Sequence, residues 1–391
     1  MEHDEGASIG FVGTFPPRVC GIASYTASLI AALGGDVAHH EVGVVNLTDH
    51  AGGVVAPPVV YHHRTGDVES LQTAARVLNR YDVVSIQHEF GIYGGRDGAE
   101  VVALMSELSV PVVVTLHTVL AKPSQNQSSI VENICDMATE VIVLSDTASA
   151  RLADLYRVDP SRINVFAHGA DSEFGGRSLA TGDRPLVLTW GLIGPGKGLE
   201  SAIEAFGGLT DLDPLPRYLI AGATHPEVRR RSGETYRNSL IALIERFGLE
   251  GVVEFDDRYF ERPELARIVR GADIVVLPYE SLEQVTSGVL VEAMAASKPV
   301  VATAFPHAVE LLSGGAGIVV PHDDPASLGE AVRLLINDPE MRTGMARKAG
   351  QLAARGYWPT VAREFSTLVT RMTRNNPNAS HPRMDLHVAA G

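Results

Sequence analysis

Short, continuous runs of apolar residues recur along this 391-residue chain, and segments with helical spacing separate them. Such runs are typical of parallel strands that are buried on both faces. In the first half they lie at residues 9–12, 42–45, 83–86, 110–115, 141–144 and 163–166. In the second half they lie at residues 186–189, 218–221, 252–255, 274–277, 299–302 and 317–320. The pattern predicts two doubly wound α/β domains, in which ligands bind beyond the carboxyl ends of the strands.

A segment without periodicity, residues 169–184, separates the two sets of strands and is rich in Gly, Ser and Asp. A chain of this length exceeds what one hydrophobic core usually fills, so the segment predicts an interdomain linker. We expect a first domain over residues 1–178 and a second over residues 179–356. Residues 357–374 have the pattern of an amphipathic helix that returns to the first domain, and residues 375–391 have the composition of a flexible tail.

Composition narrows the classes of function. The formal net charge is −15, which argues against general binding of nucleic acid or of an anionic membrane, since both require a basic surface. Only Cys20 and Cys135 are present, too few for a disulfide framework, and no apolar run approaches the length of a membrane-spanning helix. The N-terminus is acidic where a signal peptide would be basic. These features predict a cytoplasmic protein with no integral membrane segment.

The run at 186–189 leads into a glycine-rich loop, residues 191–198, that holds one lysine. Glycines let backbone N–H groups approach an anion, and the helix that follows points its positive end at the same place. Gly191, Gly196 and Lys197 also fit the Walker A spacing, but Gly198 stands where a hydroxyl group would hold magnesium. We favour a metal-free diphosphate site; a degenerate P-loop and a plain tight turn are the alternatives.

A second loop of this kind follows the first predicted strand, at residues 13–20. Gly21 and the start of the next helix would face an anion there, and Arg18 adds a positive charge. The alternative is a loop that only packs.

Two later strand ends of the first half carry histidines: His88, which is followed by Glu89, and His117. A single histidine is usually structural. These histidines, however, come where a doubly wound sheet opens its ligand crevice. We therefore treat all three side chains as candidate catalytic groups.

Residues 280–295 of the second half are predicted to form a loop, an N-cap at Thr286 or Ser287, and a helix. The start of such a helix can bind a phosphate or a sugar hydroxyl. Glu292 lies in the early turns of this helix, where its carboxylate can accept hydrogen bonds from a ribose diol. The alternative is that the helix dipole alone favours a glutamate near the helix start.

The order of these motifs resembles the retaining GT-B glycosyltransferases of the large family four group, over residues 9 to 372. The most specific part is the run from Ser287 to Ala295, with the downstream Lys298-Pro-Val-Val-Ala. The resemblance implies two Rossmann-like domains that face each other across a cleft. It also implies that Lys197 binds the donor diphosphate and that Glu292 binds the nucleotide ribose. The helix start at Ser287, Gly288 and Val289 would bind the distal phosphate and the sugar.

One departure from the family pattern lies in the phosphate loop. The family usually has an arginine after the first glycine, and this chain has Leu192. Arg18 or Arg258 would then supply the missing charge.

A second departure affects the family's motif of two glutamates separated by seven residues, because Gln284 replaces the first glutamate. Gln284 can hydrogen-bond a sugar hydroxyl, but it cannot stabilise a developing positive charge. Glu280 and Glu283 lie close by in the sequence and would compensate. We retain Gln284 as a candidate catalytic residue.

The resemblance predicts transfer of a hexosyl group from a nucleotide sugar to a carbohydrate or small-molecule acceptor, with no cofactor. GDP-mannose is slightly preferred over UDP-glucose as the donor. Asp211 and Asp213 form an Asp-x-Asp pair, but in a Pro-rich loop that precedes a strand, so we predict no metal. A sugar-nucleotide epimerase that uses Glu89 and Glu283, and a non-catalytic nucleotide-sugar-binding protein, are the alternative functions.

Overall fold

The structure, a computed structural model, describes residues 6–35, 40–50, 52–176 and 182–374. Two parallel sheets form the framework of these residues. The first sheet contains β1 (Ser8–Gly13), β2 (Glu41–Thr48), β3 (Val59–Arg64), β4 (Val83–His88), β5 (Val112–Leu116), β6 (Glu140–Val143) and β7 (Ile163–Val165). The second contains β8 (Leu186–Trp190), β9 (Arg217–Ala221), β10 (Val253–Asp256), β11 (Ile274–Leu277), β12 (Val300–Thr303) and β13 (Gly317–Val320).

Helices connect the strands and cover both faces of each sheet. Those of the first half are α1 (Gly21–Leu33), α2 (Val68–Leu78), α3 (Glu100–Ser106), α4 (Gln125–Met137) and α5 (Asp146–Tyr156). Those of the second half are α6 (Leu199–Gly207), α7 (Pro226–Ser232), α8 (Thr235–Phe247), α9 (Arg262–Gly271), α10 (Gly288–Ala295), α11 (Pro306–Leu312), α12 (Pro325–Asn337) and α13 (Pro339–Ala353). The last helix is α14 (Trp358–Arg374).

The strand order places a ligand crevice in each sheet. The orders are β3-β2-β1-β4-β5-β6-β7 and β10-β9-β8-β11-β12-β13. In both sheets the chain winds outwards in one direction and then in the other, so the direction reverses between β1 and β4 and between β8 and β11. Doubly wound sheets bind ligands at the carboxyl end of this switch point. The loops after these four strands carry most of the residues singled out above.

The prediction of two doubly wound α/β domains is confirmed, and each of the twelve predicted apolar runs overlaps a strand. The sequence reading missed β3, because its run of Val59 to Arg64 contains two adjacent histidines. These point to opposite faces, as expected for extended backbone. His63 is fully buried beside Glu100, whereas His62 is half-buried.

The helix α14 packs against the first domain. Its residues Trp358, Val361 and Phe365 share a core with Ile9 and Phe11, and the Phe11 and Phe365 rings stack with centroids 5.8 Å apart. Since α14 follows the second domain in sequence, the chain crosses between the domains twice. The predicted tail, residues 375–391, lies outside the described residues.

The two crossings run side by side. The N–H of Ala170 donates to the carbonyl of Gly356 at 2.7 Å, and the N–H of Trp358 donates to the carbonyl of Ala170 at 3.1 Å. The expected linker is therefore packed where it is described: Ala170 and Phe174 are fully buried in the core of the second domain. The predicted domain boundary after residue 178 lies outside the described residues.

Candidate active site between the two sheets

The loop between β8 and α6 is a tight backbone turn that requires its glycines. Gly191, Gly196 and Gly198 have φ angles of +122°, +86° and +63°, a region that L side chains rarely adopt. A Cβ atom on Gly198 would lie 1.8 Å from the carbonyl oxygen of Pro278, so the loop packs directly on the segment after β11. The N–H groups at the start of α6 are thereby brought to the switch point of the second sheet.

Lys197 brings a positive charge to this loop. Its Nζ atom lies 4.4 Å above the centroid of the Tyr279 ring, a cation–π contact. Among the described residues no carboxylate pairs with it. Burial lowers the pKa of Lys197, because a desolvated ammonium group is less stable than a solvated one. An anion bound here would offset the cost of desolvating the ammonium group, through charge attraction and hydrogen bonds.

Helix α10 begins beside the glycine-rich loop of residues 191–198. The Ser287 hydroxyl caps the helix by accepting the N–H of Leu290 at 3.3 Å, so of the two predicted N-cap candidates it is the cap. The Ser287 N–H in turn donates to Nδ1 of His307 at 2.8 Å. A Cβ atom on Gly191 would lie 3.8 Å from Cγ2 of Val289, so the phosphate loop and the first turn of α10 are in contact.

Glu292 lies in the second turn of α10 and is only 9% exposed. Its Oε1 atom accepts a hydrogen bond from Nη1 of Arg262 at 2.9 Å, and its Oε2 atom accepts one from Nε1 of Trp190 at 3.3 Å. Burial raises the pKa of Glu292, and the Arg262 charge opposes that rise. The sequence reading missed Arg262 and Trp190, because nothing in their local pattern indicates the long-range contact.

In the first domain, the loop after β1 ends at an unusual helix cap. The Sγ atom of Cys20 accepts the N–H of Ala23 at 3.4 Å, and Gly21 begins α1 with open space around it. Arg18 lies 3.6 Å from Asp49, and 35% of its side chain is exposed. Residue 19 of this loop lines a cavity of about 400 Å³. The other lining residues come from the second domain: Leu192, Ala223, Thr224, Pro226, Arg229, Arg230 and Tyr259. The loop therefore faces the second domain across a cleft.

His117 follows β5 at the cleft and is buried. Its Nε2 atom is hydrogen-bonded to Oε1 of Gln87 at 2.9 Å. The backbone N–H of His117 donates to the backbone carbonyl of His88 at 3.1 Å. Burial lowers the pKa of His117 to about 3, so the ring is neutral at pH 7. A neutral imidazole can donate or accept a hydrogen bond, but it contributes no charge.

Aromatic contacts connect His117 to the start of α10. The Tyr25 ring packs edge-on against His117 at 4.7 Å between centroids and against His168 at 5.3 Å. His168 in turn covers Gly288, where a Cβ atom would lie 2.9 Å from the His168 ring. Three successive contacts, His117 with Tyr25, Tyr25 with His168 and His168 with Gly288, thus connect His117 to the helix that carries Glu292. The sequence reading missed His168, because it precedes the expected linker.

The other two candidates of the first sheet are enclosed. His88 is fully buried between Phe90 and Tyr93, and burial lowers its pKa to about 4. This enclosure argues against direct contact of His88 with a substrate. Glu89 accepts hydrogen bonds from the Thr118 hydroxyl and from the N–H of Phe90, and burial raises its pKa.

Gln284 and its neighbour Glu283 hold the loop after β11 in place. The Gln284 amide donates to the carbonyl of Thr286 at 3.2 Å. The Glu283 carboxylate crosses to the first domain, where it accepts the N–H of Ala121 at 2.6 Å and Nη1 of Arg151 at 3.0 Å. Glu283 therefore joins the two domains, and in this arrangement it does not compensate for Gln284.

Arg258 is 59% exposed and pairs with Asp256 at 2.7 Å and Glu264 at 3.1 Å. Two carboxylates thus offset its charge, which weakens it as a substitute for the arginine absent at position 192. Asp211 pairs with Arg333 at 2.8 Å. Within the described ranges no three His, Cys, Asp or Glu side chains lie close enough together to hold a metal ion. Nor does any described helix combine the length and apolarity needed to cross a membrane.

Two doubly wound α/β domains that face each other across a cleft form the GT-B fold. Family models agree: "Glycosyl transferases group 1" matches residues 172–352, and "Glycosyltransferase Family 4" matches residues 19–174. The chain belongs to this family of group 1 glycosyltransferases, and it is an enzyme of that class.

Named relatives share this class. D-inositol 3-phosphate glycosyltransferase of Corynebacterium efficiens is 30% identical over 72% of this chain and 70% of its own. Alpha-D-kanosaminyltransferase of Streptomyces kanamyceticus is 28% identical over 65% of this chain and 69% of its own length.

Solved structures share the fold. Sucrose-phosphate synthase of Thermosynechococcus elongatus has a TM-score of 0.76, with 18% identity over 95% of this chain and 100% of that chain. HepE of Anabaena in complex with UDP has a TM-score of 0.72, with 18% identity over 93% of this chain and 100% of that chain.

Proposed function

We propose that the protein is a retaining hexosyltransferase that moves a mannosyl or glucosyl group from a nucleoside-diphosphate sugar to an acceptor hydroxyl, without a metal ion. The observation that carries the proposal is that His117 of the first domain is connected through the Tyr25 and His168 rings to the start of α10 at Gly288, beside the glycine-rich loop of residues 191–198. A donor held on the second domain would then present its sugar to the first.

The donor diphosphate is assigned to the phosphate loop. This assignment is supported by Lys197, by the start of α6 at Leu199 and by the contact of the loop at Gly191 with the first turn of α10. The ribose is proposed to bind the Glu292 carboxylate. Negative charge grows on the diphosphate as its bond to the sugar breaks. Fixed positive groups stabilise that charge more in the transition state than in the ground state, which accelerates the reaction.

The chemistry proposed for the sugar is a front-face displacement. Residue 284 is an amide, and the Glu283 carboxylate is held by Ala121 and Arg151, so neither offers a free nucleophile. The bond from the anomeric carbon to the diphosphate oxygen breaks. The acceptor oxygen bonds to the same face of that carbon, and the acceptor proton passes to the leaving diphosphate. His117, as a neutral ring, positions a sugar hydroxyl.

The acceptor is proposed to be a carbohydrate or a small polyhydroxy molecule that enters from the first domain. The inositol 3-phosphate named for several relatives supports a phosphorylated cyclitol as the first compound to test. No cofactor is required, because binding, orientation and charge stabilisation are supplied by the residues named above.

The experiment is an incubation of the protein with GDP-mannose or UDP-glucose, each with and without inositol 3-phosphate. We expect release of the nucleoside diphosphate and formation of a glycoside only when an acceptor is present, with the α-configuration of the donor retained in the proton NMR spectrum. An inverted anomeric centre would refute the retaining mechanism. Conversion of the sugar nucleotide without any acceptor would instead favour an epimerase.

A further inference from the structure

Arg262, the first residue of α9, bridges two carboxylates that come from distant parts of the chain. Its Nη1 atom donates to Oε1 of Glu292 at 2.9 Å, while its Nε atom donates to Oδ2 of Asp171 at 2.6 Å. The guanidinium group also lies over the Phe174 ring, 5.5 Å from its centroid. Because different nitrogens bind the two carboxylates, the planar group is fixed in one orientation.

Glu292 depends on such a partner. A carboxylate that is 9% exposed is unstable as an anion unless a positive group or several donors compensate it. The contacts with Arg262 and with the Trp190 N–H occupy one site on each oxygen. An ionised carboxylate has about four acceptor sites, so two ribose hydroxyls can bind while both contacts persist. A protonated carboxyl would lose part of this acceptor capacity.

Few other charged or titratable groups face Glu292. Asp171 contributes a negative charge that raises the pKa of Glu292, but Arg262 binds Asp171 directly. The Tyr279 phenol is buried, and burial raises its pKa, so it stays neutral. The Lys197 ammonium group contacts the Tyr279 ring, 4.4 Å from its centroid, and forms no ion pair with Glu292. Arg262 is therefore the cation in direct contact with Glu292 among the described residues.

We propose that Arg262 is a positioning residue for nucleotide recognition: it holds the Glu292 carboxylate ionised and oriented to accept hydrogen bonds from the ribose of the donor. Asp171 supports it by fixing the guanidinium group from the opposite side. The inference rests on the proposed function, because it takes the ribose to bind at Glu292.

The experiment is calorimetric titration of UDP and GDP into the full-length protein and its variants between about pH 5.5 and pH 8.5, around the range where a raised carboxyl pKa would titrate. Arg262→Gln should weaken the binding of the preferred diphosphate by about tenfold to 100-fold at neutral pH. Its affinity should rise with pH, because the carboxyl loses its proton as pH increases. Arg262→Lys, which keeps the charge, should restore much of the affinity. Glu292→Gln should bind weakly with no such dependence.

Three results would overturn the inference. If the unmodified protein binds a diphosphate, and Arg262→Gln binds it equally well with the same pH profile, the inference fails and the proposed function stands. If Arg262→Gln binds more tightly, Arg262 competes with the ribose. If the unmodified protein binds neither diphosphate, the proposed function fails and the inference fails with it. Circular dichroism checks folding, and Asp171→Asn provides a second variant that leaves Arg262 in place; it should weaken binding in the same direction but less.

Discussion

The two sides of the cleft differ in charge although the two sheets share one topology. On the first domain, His117 is buried and His168 half-buried, and desolvation lowers their pKa values to about 3 and about 4, so both rings are neutral at pH 7. On the second, Lys197, Glu292 and Arg262 bring charged groups to the strand ends. Two sheets that wind in the same order therefore present different chemistry.

Because the two sheets share one topology, we expect the loops to determine which substrate each domain binds. A diphosphate carries charge and calls for a cation and helix N-termini, which the second domain supplies. Sugar hydroxyls are neutral, and neutral groups such as His117 can bind them without the cost of burying a charge. The donor is therefore expected on the second domain and the acceptor on the first, with closure of the cleft excluding water before transfer.

The strongest test of this comparison is His117→Ala. We expect kcat to fall by about 100-fold, because misplacement of the transferred sugar costs about that much in rate. The affinity for the nucleoside diphosphate should change little. Calorimetry and turnover of the same variant measure both quantities, with His50→Ala, an exposed histidine of the same domain, as the matched control. A parallel fall in nucleotide affinity would place His117 in the nucleotide pocket.

Lys197→Ala tests the charged side. The loss of a charge-assisted contact with the diphosphate should cost about 1.5–3 kcal/mol, or about tenfold to 150-fold in kcat/KM. The glycines rather than the lysine set the loop backbone, so the free energy of unfolding should be nearly unchanged. Lys348→Ala on α13 is the control. Unchanged kinetics in a folded Lys197→Ala variant would mean that the diphosphate binds elsewhere.

A substitution of Glu310 tests the hydrogen bonds that hold the two domains against each other. This residue of α11 in the second domain accepts hydrogen bonds from Asp146 N–H at 3.0 Å, Thr147 N–H at 2.9 Å and the Thr147 hydroxyl at 2.7 Å, at the start of α5 in the first domain. Glu310→Ala should favour the open cleft by about 1 kcal/mol, a modest value because the site is partly exposed to solvent.

That energy would lower the ratio of closed to open molecules by a factor of about five. A distance measurement by fluorescence energy transfer between the domains would detect it, with Glu340→Ala as an exposed control. An unaltered distance distribution would show that Glu310 does not hold the domains together.

The smallest effect is expected from chelation. Exhaustive treatment with EDTA should leave turnover unchanged, because Lys197 and the helix N-termini supply the positive charge that a metal ion would otherwise provide. Loss of activity that manganese restores would direct attention back to Asp211 and Asp213.

Much of the fold was predictable because its signals are local. Strands buried on both faces need continuous apolar runs, and twelve such runs each overlap a strand of the structure. The turn at residues 191–198 was predictable for a related reason, since three residues with positive φ angles favour glycine at fixed positions. The strand β3 was missed because its partly exposed position tolerates two histidines in place of apolar residues.

The contacts that complete the candidate site were not predictable. Arg262 and Glu292 are 30 residues apart, and Glu310 is 163 residues from Thr147. Nothing in the local pattern around Arg262 or Glu310 distinguishes them from ordinary surface charges, because each finds its partner only when distant strands align.

The sequence by itself determined the two doubly wound domains and the positions of their glycine-rich turns, since backbone geometry and burial constrain neighbouring residues directly. It also indicated the class of enzyme, through the resemblance of its motifs to a known family. Only the tertiary structure decided which polar side chains lie together. It enclosed His88, joined Glu283 to Arg151 and placed His168 over Gly288. The physical reason is that desolvation and pairing depend on what the fold brings near each group, and these distances are set by packing of the whole chain.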